Sequence, residues 1–433
     1  MHSSILLIFL SCALTALTAQ TTLEGTVTDG SSGEPLSFVN VLLAGRQSYG
    51  VLTNERGEYR ITLPAGSEHD TLLFSLLSYE TGRFPINLLE VGKTRMDVRL
   101  QTSFIELDGV IVISDIGLRA FVKRAFDAIP QNYGSDDYLL RAFSRKYDVD
   151  DGEYTQVLEA MLTIRDEPYH LDVENPKVWI DQFRSTPYTG PELNFFWPKI
   201  NRQFYLLASY DWFGNVARSK IRRPLGFFIF ETAEASQAYS DKAGNDHRFM
   251  AGFTFANRGE YLSGNDTIVR IQYSIDPTIP GISKYATEAS FNSGELLINK
   301  RNHAILRCRH GNDSEGWYTD VIYQEHEGKY YVKSLQHIIQ YNYLAETRTH
   351  FSNRYLYVTE IITDKKAIRK AKKGKLMQAS EPYTAIRVPY DVAFWTDNQM
   401  LQTIPAPEAT KIATDKMNAF EQDFLDNARR VKE

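Results

Sequence analysis

LEGTVTDGSSGEPLSFVNVLL, residues 23–43, places turn-forming residues between two runs of β-forming side chains. Gly25 lies inside the first run, where a glycine indicates that another backbone approaches closely. Asp29 and Gly33 predict the first hairpin turn, and Pro35 predicts the start of the next strand at a position without an inner ladder bond. The stretch therefore predicts the opening of a compact β domain.

The sequence on the C-terminal side of this stretch continues the same pattern. EYRITL (58–63) and RMDVRL (95–100) alternate apolar with polar residues, which predicts strands with one buried face. DGSSGEP, TNERGE and LPAGSEHD lie between the strands and carry turn chemistry. Residues 21–101 are therefore predicted to form one β domain.

These segments, in the order GTVTDGSSGEPLSFVNVLL, LTNERGEYRITLP and LLFSLLSYET, also carry a family resemblance. Together with the position of Asn40, they resemble the carboxypeptidase regulatory-like domain of secreted and outer-membrane Bacteroidota proteins. The resemblance implies a transthyretin-like β-sandwich that has no catalytic residues of its own.

A connector helix is predicted within residues 102–135. In SDIGLRAFVKRAFDAIPQNYG, apolar residues recur at helical spacing from Ile116 to Ile129, and Ser114 or Asp115 can cap the helix. Pro130 is predicted to stop it.

Residues 136–362 return to strand patterns, with hairpins predicted through Asn302 and Gly328. The fold class is therefore mostly β: an N-terminal β-sandwich and a larger antiparallel β domain, an open or half-barrel, with a connector helix and a C-terminal helix. Its concave face would carry alternate residues such as Val269, Ile271 and Tyr273. The helix at 116–129 or the ring-rich segment at 195–230 is the expected lid. This arrangement resembles the half-barrel of periplasmic lipoprotein carriers.

The C-terminal part divides into a basic segment, 363–378, and a region with an amphipathic helix, 379–433. Seven of the eleven residues 365–375 are basic. They favour either peripheral contact with acidic lipid head groups or a solvated face or flexible link. VPYDVAFWTDNQMLQ resembles the C-terminal region of Bacteroidota proteins that begin with the same sandwich.

The first residues predict export. ILLIFLSCALTAL is uncharged and too short to span a bilayer, and TALTAQ offers small residues for cleavage, so residues 1–19 are predicted to be a signal peptide. A lipid anchor at Cys12 is the alternative. Either way we expect a periplasmic or outer-membrane-peripheral protein, in which Cys308 is a small buried strand residue rather than a reactive thiol.

The charge balance argues against nucleic acid as a partner. The chain has 54 acidic and 48 basic residues and a net charge of -6, so no whole-chain attraction to polyanions is expected. The partners that the sequence favours are an outer-membrane or periplasmic protein, or an apolar ligand such as a lipid.

One segment is richer in rings than a core needs. FFWPKINRQFYLLASYDWFG (195–214) and RRPLGFFIF (222–230) either fill the space between a curved sheet and its covering helix or form a ligand or partner surface. The candidate surface residues are Phe195, Phe196, Trp197, Tyr210, Trp212, Phe213, Phe227 and Phe228.

No motif for catalysis, cofactor binding or metal binding was found. His-x-x-Glu, His-Glu-x-x-His, Gly-x-Ser-x-Gly and Walker patterns do not occur in the chain after residue 19. DVDDGEY (148–154) has the wrong spacing for a calcium loop, and it predicts a solvated hairpin turn instead. We therefore expect a non-enzymatic envelope protein that binds or supports a partner. A secreted hydrolase of envelope peptide or glycan, with a dispersed active site, is the alternative, and a purely structural component is the third.

Overall fold

The structure is a computed structural model, and it divides the chain into two compact units. These are Met1–Thr102 with Thr396–Pro405, and Ser103–Trp395 with Ala406–Glu433. The residues that it describes are 21–36, 39–44, 50–54, 56–64, 66–76, 79–88, 94–103, 115–151, 153–166, 177–186, 253–263, 265–276, 293–312, 317–342, 349–377, 388 and 391–397.

The first unit contains two small sheets. Its strands are β1 (Thr21–Asp29), β2 (Asn40–Leu43), β3 (Gly50–Leu52), β4 (Glu58–Leu63), β5 (Thr71–Ser75), β6 (Gly82–Pro85) and β7 (Val98–Leu100), with a 3₁₀ turn at Ile86–Leu88. Among the described residues, one sheet has the order β4-β1-β7 and the other the order β3-β2-β5-β6. Apolar side chains from both sheets form one buried core, so the unit is a β-sandwich.

The opening stretch of sequence takes the roles that its residues predict. A Cβ at Gly25 would lie 1.8 Å from the carbonyl oxygen of Met96, so only glycine fits against that backbone. Asp29 closes the first turn by accepting hydrogen bonds from the backbone N–H groups of Ser31 and Ser32, at 2.7 and 2.8 Å. The hydroxyl of Tyr79 also donates to Asp29, at 2.7 Å, and these hydrogen bonds hold the pKa of Asp29 below its ordinary value. The turn is thereby joined to the SYET segment.

The second unit begins with two helices and continues with strands. Its elements are α1 (Asp115–Asp127), α2 (Ile129–Asn132), β8 (Tyr138–Asp150), β9 (Glu153–Asp166), β10 (Lys177–Ser185), β11 (Phe253–Ser263), β12 (Asp266–Ile275), β13 (Ser293–Asn299), β14 (Ile305–Asn312), β15 (Trp317–His326), β16 (Lys329–Asn342), β17 (Thr349–Ile362), α3 (Lys365–Lys370) and β18 (Lys375–Leu376). A last helix, α4 (Val392–Asp397), belongs to this unit as far as Trp395.

The described strands of this unit form one sheet. It has eleven strands in the order β11-β12-β13-β14-β15-β16-β17-β8-β9-β10-β18, and every pair is antiparallel. Among these strands β11 and β18 are the two edges, so the described sheet is open. The predicted fold class, mostly β with a sandwich followed by a larger antiparallel sheet, is confirmed, and so are the hairpins through Asn302 and Gly328.

The connector helix differs from its prediction at its end. α1 ends at Asp127, and Pro130 lies in the first turn of α2 rather than after the last turn of a single helix. This position suits proline, because the first turn of a helix has no intrahelical partner for the missing N–H group. The predicted signal peptide, the C-terminal amphipathic helix and the eight ring residues of the candidate surface lie outside the described residues.

Candidate functional site

One face of the large sheet lies against α1, and we call it the inner face. Because side chains alternate along a strand, the pairing registers decide which residues share it. Val269, Ile271 and Tyr273 of β12 all lie on this face and are buried, as the sequence predicts. From the helical side, the Arg119 guanidinium lies 5.9 Å from the centroid of the Phe255 ring on β11.

Polar contacts hold the helical segment to the sheet at both ends. Near the start of α1, Arg119 donates through Nη1 to the carbonyl oxygen of Phe253, at 3.1 Å. Just after α2, the Tyr133 hydroxyl donates to the carbonyl oxygen of Ile305 at 2.6 Å and accepts from the backbone N–H of the same residue at 2.9 Å. The Tyr133 ring also makes an edge contact with Tyr323, with centroids 5.4 Å apart.

Apolar side chains of the helix lie between these two anchors. The buried residues of α1 and α2 are Leu118, Phe121, Val122, Ala125, Phe126 and Ile129. The helix predicted over 116–129 therefore packs by its apolar side and is fastened by polar groups at its ends. That arrangement is suited to a cover over the inner face.

An apolar row crosses the middle of the inner face. Its members are direct cross-strand neighbours on six adjacent strands: Ile271, Leu296, Cys308, Val321, Leu335 and Leu356. Each of them is at most 3 % exposed. Each large aliphatic side chain buried in this way contributes about 1.5–3 kcal/mol to folding. Cys308 is a small buried member of this row, as the sequence predicts.

A polar row runs parallel to the apolar row. It is displaced from the apolar row by two residues on each strand, which is about 7 Å. The register joins Tyr273, His310, Thr319, His337, Arg354 and Lys146, with Gly294 between the first two. All six side chains are buried. A buried polar row of this length is costly unless its groups are hydrogen-bonded.

Hydrogen bonds join two neighbouring pairs within the polar row, and a third joins Lys146 to an adjacent carboxylate. The Tyr273 hydroxyl lies 3.0 Å from His310 Nδ1, and the two rings are nearly parallel. The Thr319 hydroxyl lies 2.7 Å from His337 Nδ1. Lys146 donates to Asp148, which follows it on the inner face of β8. The row is thus a hydrogen-bonded strip at the border of the apolar surface.

Gly294 makes room for this strip. A Cβ at this position would lie 2.3 Å from the Tyr273 hydroxyl oxygen and 2.1 Å from the carbonyl oxygen of Arg309. The glycine therefore lets the Tyr273 ring cross β13 towards His310, and any larger residue would displace it.

Burial lowers the pKa of two groups in the row. It lowers the pKa of His337 well below its ordinary value, with the Arg354 charge acting in the same direction, so the imidazole is neutral at pH 7. Burial also lowers the pKa of Lys146, and the Arg354 charge adds to this effect, although Asp148 opposes both.

The aspartates of DVDDGEY differ from their predicted setting. β8 continues to Asp150, so the turn begins only at Asp151, whose φ is 49°. Asp148 and Asp150 are buried on the inner face rather than solvated, because they are strand residues beside the polar row. The prediction of a solvated turn is therefore wrong for these two residues and right for the exposed Asp151.

The opposite face carries a second buried cluster of charges. Arg145 and Arg184 both donate through Nε to the Glu159 carboxylate, at 2.5 Å each. The Arg184 guanidinium also lies 4.4 Å from the centroid of the Trp395 ring in α4. Burial raises the pKa of Glu159, but the two arginines outweigh it and lower the pKa overall. Through Arg184 and Glu159, the cluster joins Trp395 to β10 and β9.

The described residues offer no obvious metal site or membrane-spanning helix. Within the ranges that the structure describes, no three His, Cys, Asp or Glu side chains are grouped to hold a metal ion. In the same ranges, none of the helices is long and apolar enough to cross a bilayer. Because Phe195, Phe196, Trp197, Tyr210, Trp212, Phe213, Phe227 and Phe228 fall outside these ranges, their role stays a prediction.

The polar row is difficult to predict from the sequence. Lys146, His337 and Arg354 are residue types that normally face water, so alternation alone assigns them to the solvent side. A faint signal exists: in RAFSRKYDVD, a serine, a lysine and two aspartates occur at every second position in continuation of Leu140 and Ala142.

Comparison with known proteins gives a family match for the N-terminal part of the chain alone. Residues 23–112 match the family model of the CarboxypepD_reg-like domain. The resemblance stated for the N-terminal segments is thus confirmed as to the domain. No curated protein matches the chain.

Solved structures give only distant likenesses. A domain from Vibrio parahaemolyticus, described as an outer membrane lipoprotein-sorting protein, is 9% identical over 57% of this chain and 96% of its own, with a TM-score of 0.24. A LolA superfamily protein from Nitrosomonas europaea is 8% identical over 57% and 93%, with a TM-score of 0.24. The Mycobacterium tuberculosis lipoprotein LppX is 8% identical over 58% and 98%, with a TM-score of 0.18. Such low values carry no weight for the function.

Proposed function

We propose that the second unit binds an apolar ligand, such as a lipid acyl chain, on the inner face of the sheet beneath α1. The protein would accordingly be a non-enzymatic binding protein of the cell envelope. The observation that carries this proposal is the apolar row, six aliphatic or thiol side chains side by side on adjacent strands, with an amphipathic helix fastened across the same face.

The way in which α1 is attached supports a cover that can move. Apart from a hydrogen bond from Arg124 Nε to His303 Nε2 at 3.2 Å, its polar contacts with the sheet lie near its two ends, at Arg119 and Tyr133. The residues between them bury apolar side chains, which slide more easily than hydrogen-bonded ones. A ligand that replaces part of this apolar packing keeps the inner face dry. Burial of a ten-carbon chain would contribute roughly 8 kcal/mol before the costs of association.

The polar row supports a restriction on the chemical class of the ligand. Beyond the apolar row the inner face turns within about 7 Å to charged and hydrogen-bonding groups, including Lys146 and Arg354. An acyl chain that lies along the strands would therefore contact apolar side chains as far as the polar row. A polar end of the ligand would lie at the polar row or beyond it. This fits an amphiphile better than a wholly apolar molecule.

The experiment uses the protein recovered from its own cell envelope without detergent. Native mass spectrometry should show a co-purifying lipid, and the delipidated protein should bind a fluorescent fatty acid. Ligand binding should also slow the modification of Cys308 by a thiol reagent, since this thiol lies in the apolar row. If no lipid co-purifies, no fatty acid binds and Cys308 is not protected, the unit is a scaffold.

Two adjacent residues of β15 provide a matched pair of variants. Val321 lies in the apolar row, and Ile322 lies half-buried on the opposite face of the same strand. Val321→Phe should weaken fatty-acid binding about 10-fold or more, because an extra ring on a packed surface costs about 1–3 kcal/mol. Ile322→Phe introduces the same ring outside the site and should leave binding unchanged. Equal effects of the two variants would contradict the proposed position.

A further inference from the structure

A basic surface lies outside the inner face, between β17 and β18. We define the basic surface as Lys365, Lys366, Arg369, Lys370, Lys372, Lys373 and Lys375. Only one acidic residue, Asp364, occurs in residues 364–376, although the chain as a whole has a net charge of -6. Positive charge is therefore concentrated at one place on an acidic protein.

The short helix α3 collects four of these cations on one side. At 100° per residue, Lys365, Lys366, Arg369 and Lys370 fall within an arc of about 140°. Ile368, half-buried, occupies the other side. The helix is about 9 Å long, less than the Debye length of about 10 Å at 0.1 M salt, so the four charges act on a neighbouring anion together.

The nearby acidic groups are engaged by other partners. Asp364 accepts the N-cap hydrogen bond from the backbone N–H of Ala367, at 2.7 Å. Asp181 accepts from Thr163 and from the backbone N–H of Gly374. Glu360 pairs with Arg141. Within the described part of the chain, the four cations of α3 form no ion pair and are exposed.

Apolar groups accompany the charges. Leu376, which ends β18, is 41% exposed, and the described residues include only one other large apolar side chain so exposed, Leu262. The Lys373 ammonium lies 4.8 Å from the centroid of the half-buried Trp179 ring. Cations beside an exposed leucine and an indole ring are typical of segments that lie at a bilayer surface, where phosphates meet acyl chains.

We infer that the basic surface docks the protein on the surface of a membrane that contains anionic phospholipids, with α3 on the head groups and Leu376 directed to the acyl boundary. Charge complementarity and the exposed leucine favour a bilayer over a soluble polyanion, which would match the cations alone. This docking does not depend on the ligand proposed for the inner face.

The test measures flotation of the full exported chain with phosphatidylcholine vesicles that contain or lack phosphatidylglycerol. Binding should need phosphatidylglycerol, and it should weaken strongly between about 0.1 M and 1 M salt, as the Debye length falls from about 10 to 3 Å. The triple variant Lys366→Gln, Arg369→Gln, Lys370→Gln should bind about 100-fold more weakly, because each basic residue near an anionic surface contributes a factor of about five. Leu376→Ser should weaken binding as well.

The control variant removes the same number of charges elsewhere. Arg83→Gln, Arg99→Gln and Arg258→Gln replace three exposed arginines and leave the basic surface intact, so vesicle binding should stay at the wild-type level. Equal binding to both kinds of vesicle would overturn the inference, and so would equal losses in the two triple variants. Loss of vesicle binding in the α3 variant without any effect of Leu376→Ser would overturn the placement of Leu376 at the acyl boundary. Thermal unfolding of each variant confirms that the exposed substitutions leave the fold intact.

Discussion

Weakening the C-terminal anchor of the helical cover should make Cys308 accessible. Tyr133→Phe removes one hydroxyl, which donates to the Ile305 carbonyl at 2.6 Å and accepts from the Ile305 N–H at 2.9 Å. Ile305 begins the strand that carries Cys308 three residues later, and it is fully buried. The substitution therefore leaves two buried backbone groups without their side-chain partner and keeps the apolar ring.

The size of the effect follows from these two hydrogen bonds. Each hydrogen bond contributes about 1 kcal/mol net, and an unsatisfied buried group costs about 1–3 kcal/mol. About 2 kcal/mol is therefore a lower value for the free energy lost when both hydrogen bonds are removed. If this free energy stabilises the closed cover, opening becomes about 30-fold more frequent, since 1.4 kcal/mol corresponds to a factor of ten. Local opening then shows directly in the modification rate of a group beneath the cover.

The assay is the second-order rate of thiol modification in a chain with Cys12→Ser, so that Cys308 is the reactive group. Tyr147→Phe is the matched control, because it removes a buried hydroxyl on the opposite face, where that oxygen accepts from Asn353 at 2.6 Å. It should destabilise the unit without opening α1. A rate for Tyr133→Phe within about threefold of wild type, or an equal acceleration by Tyr147→Phe, would refute the cover.

Two further substitutions test the electrostatics of the sheet. Glu159→Gln should lower the free energy of unfolding by about 3–5 kcal/mol in chemical denaturation, because it leaves the buried Arg184 and the half-buried Arg145 without a counter-charge. The exposed pair Asp137–Arg165 provides the control, and Asp137→Asn should cost less than about 1 kcal/mol. Because the folded pKa of Glu159 is lowered, its stabilisation is present above the unfolded pKa and is lost as the pH falls through the folded value, so an acid limb unaffected by Glu159→Gln would contradict this role. Burial lowers the pKa of Lys333 to about 8, so stability should rise between that pH and the ordinary pKa of lysine. Lys333→Met should raise the melting temperature at pH 7 and lose this advantage near pH 10; a gain that is equal at both pH values would show that the ammonium is solvated.

Much of the fold could be predicted because its signals are local. The roles of Gly25, Asp29 and the alternating strands can each be predicted from a few neighbouring residues. Hairpins such as that through Gly328 need only a turn between two alternating runs. The pairing of β17 with β8 could not be predicted in this way. Phe143 and Tyr357 meet across more than two hundred residues, and nothing in either strand identifies its partner.

The site was harder to predict than the fold, for a related physical reason. A residue such as His337 is placed by its neighbours on adjacent strands, and its burial depends on a row of bonded partners that comes from six separate segments. The opposite charges of Lys146 and Asp148 are paired inside the unit only because β8 extends further than its turn residues indicate. The alternation rule assigns such side chains to water, and only the full sheet shows that their hydrogen bonds are supplied from within.

The proposals for the inner face and for the basic surface are independent, and their tests can be combined. Val321→Phe should weaken fatty-acid binding and leave flotation unchanged, whereas the triple substitution in α3 should weaken flotation and leave fatty-acid binding unchanged. If both hold, a protein that buries an acyl chain also carries a surface that brings it to a bilayer, where such chains are collected or delivered. If only flotation holds, the unit is a peripheral scaffold. If only ligand binding holds, the cations of α3 are a solvated face, and the exchange of ligand must be driven by a partner protein rather than by the membrane.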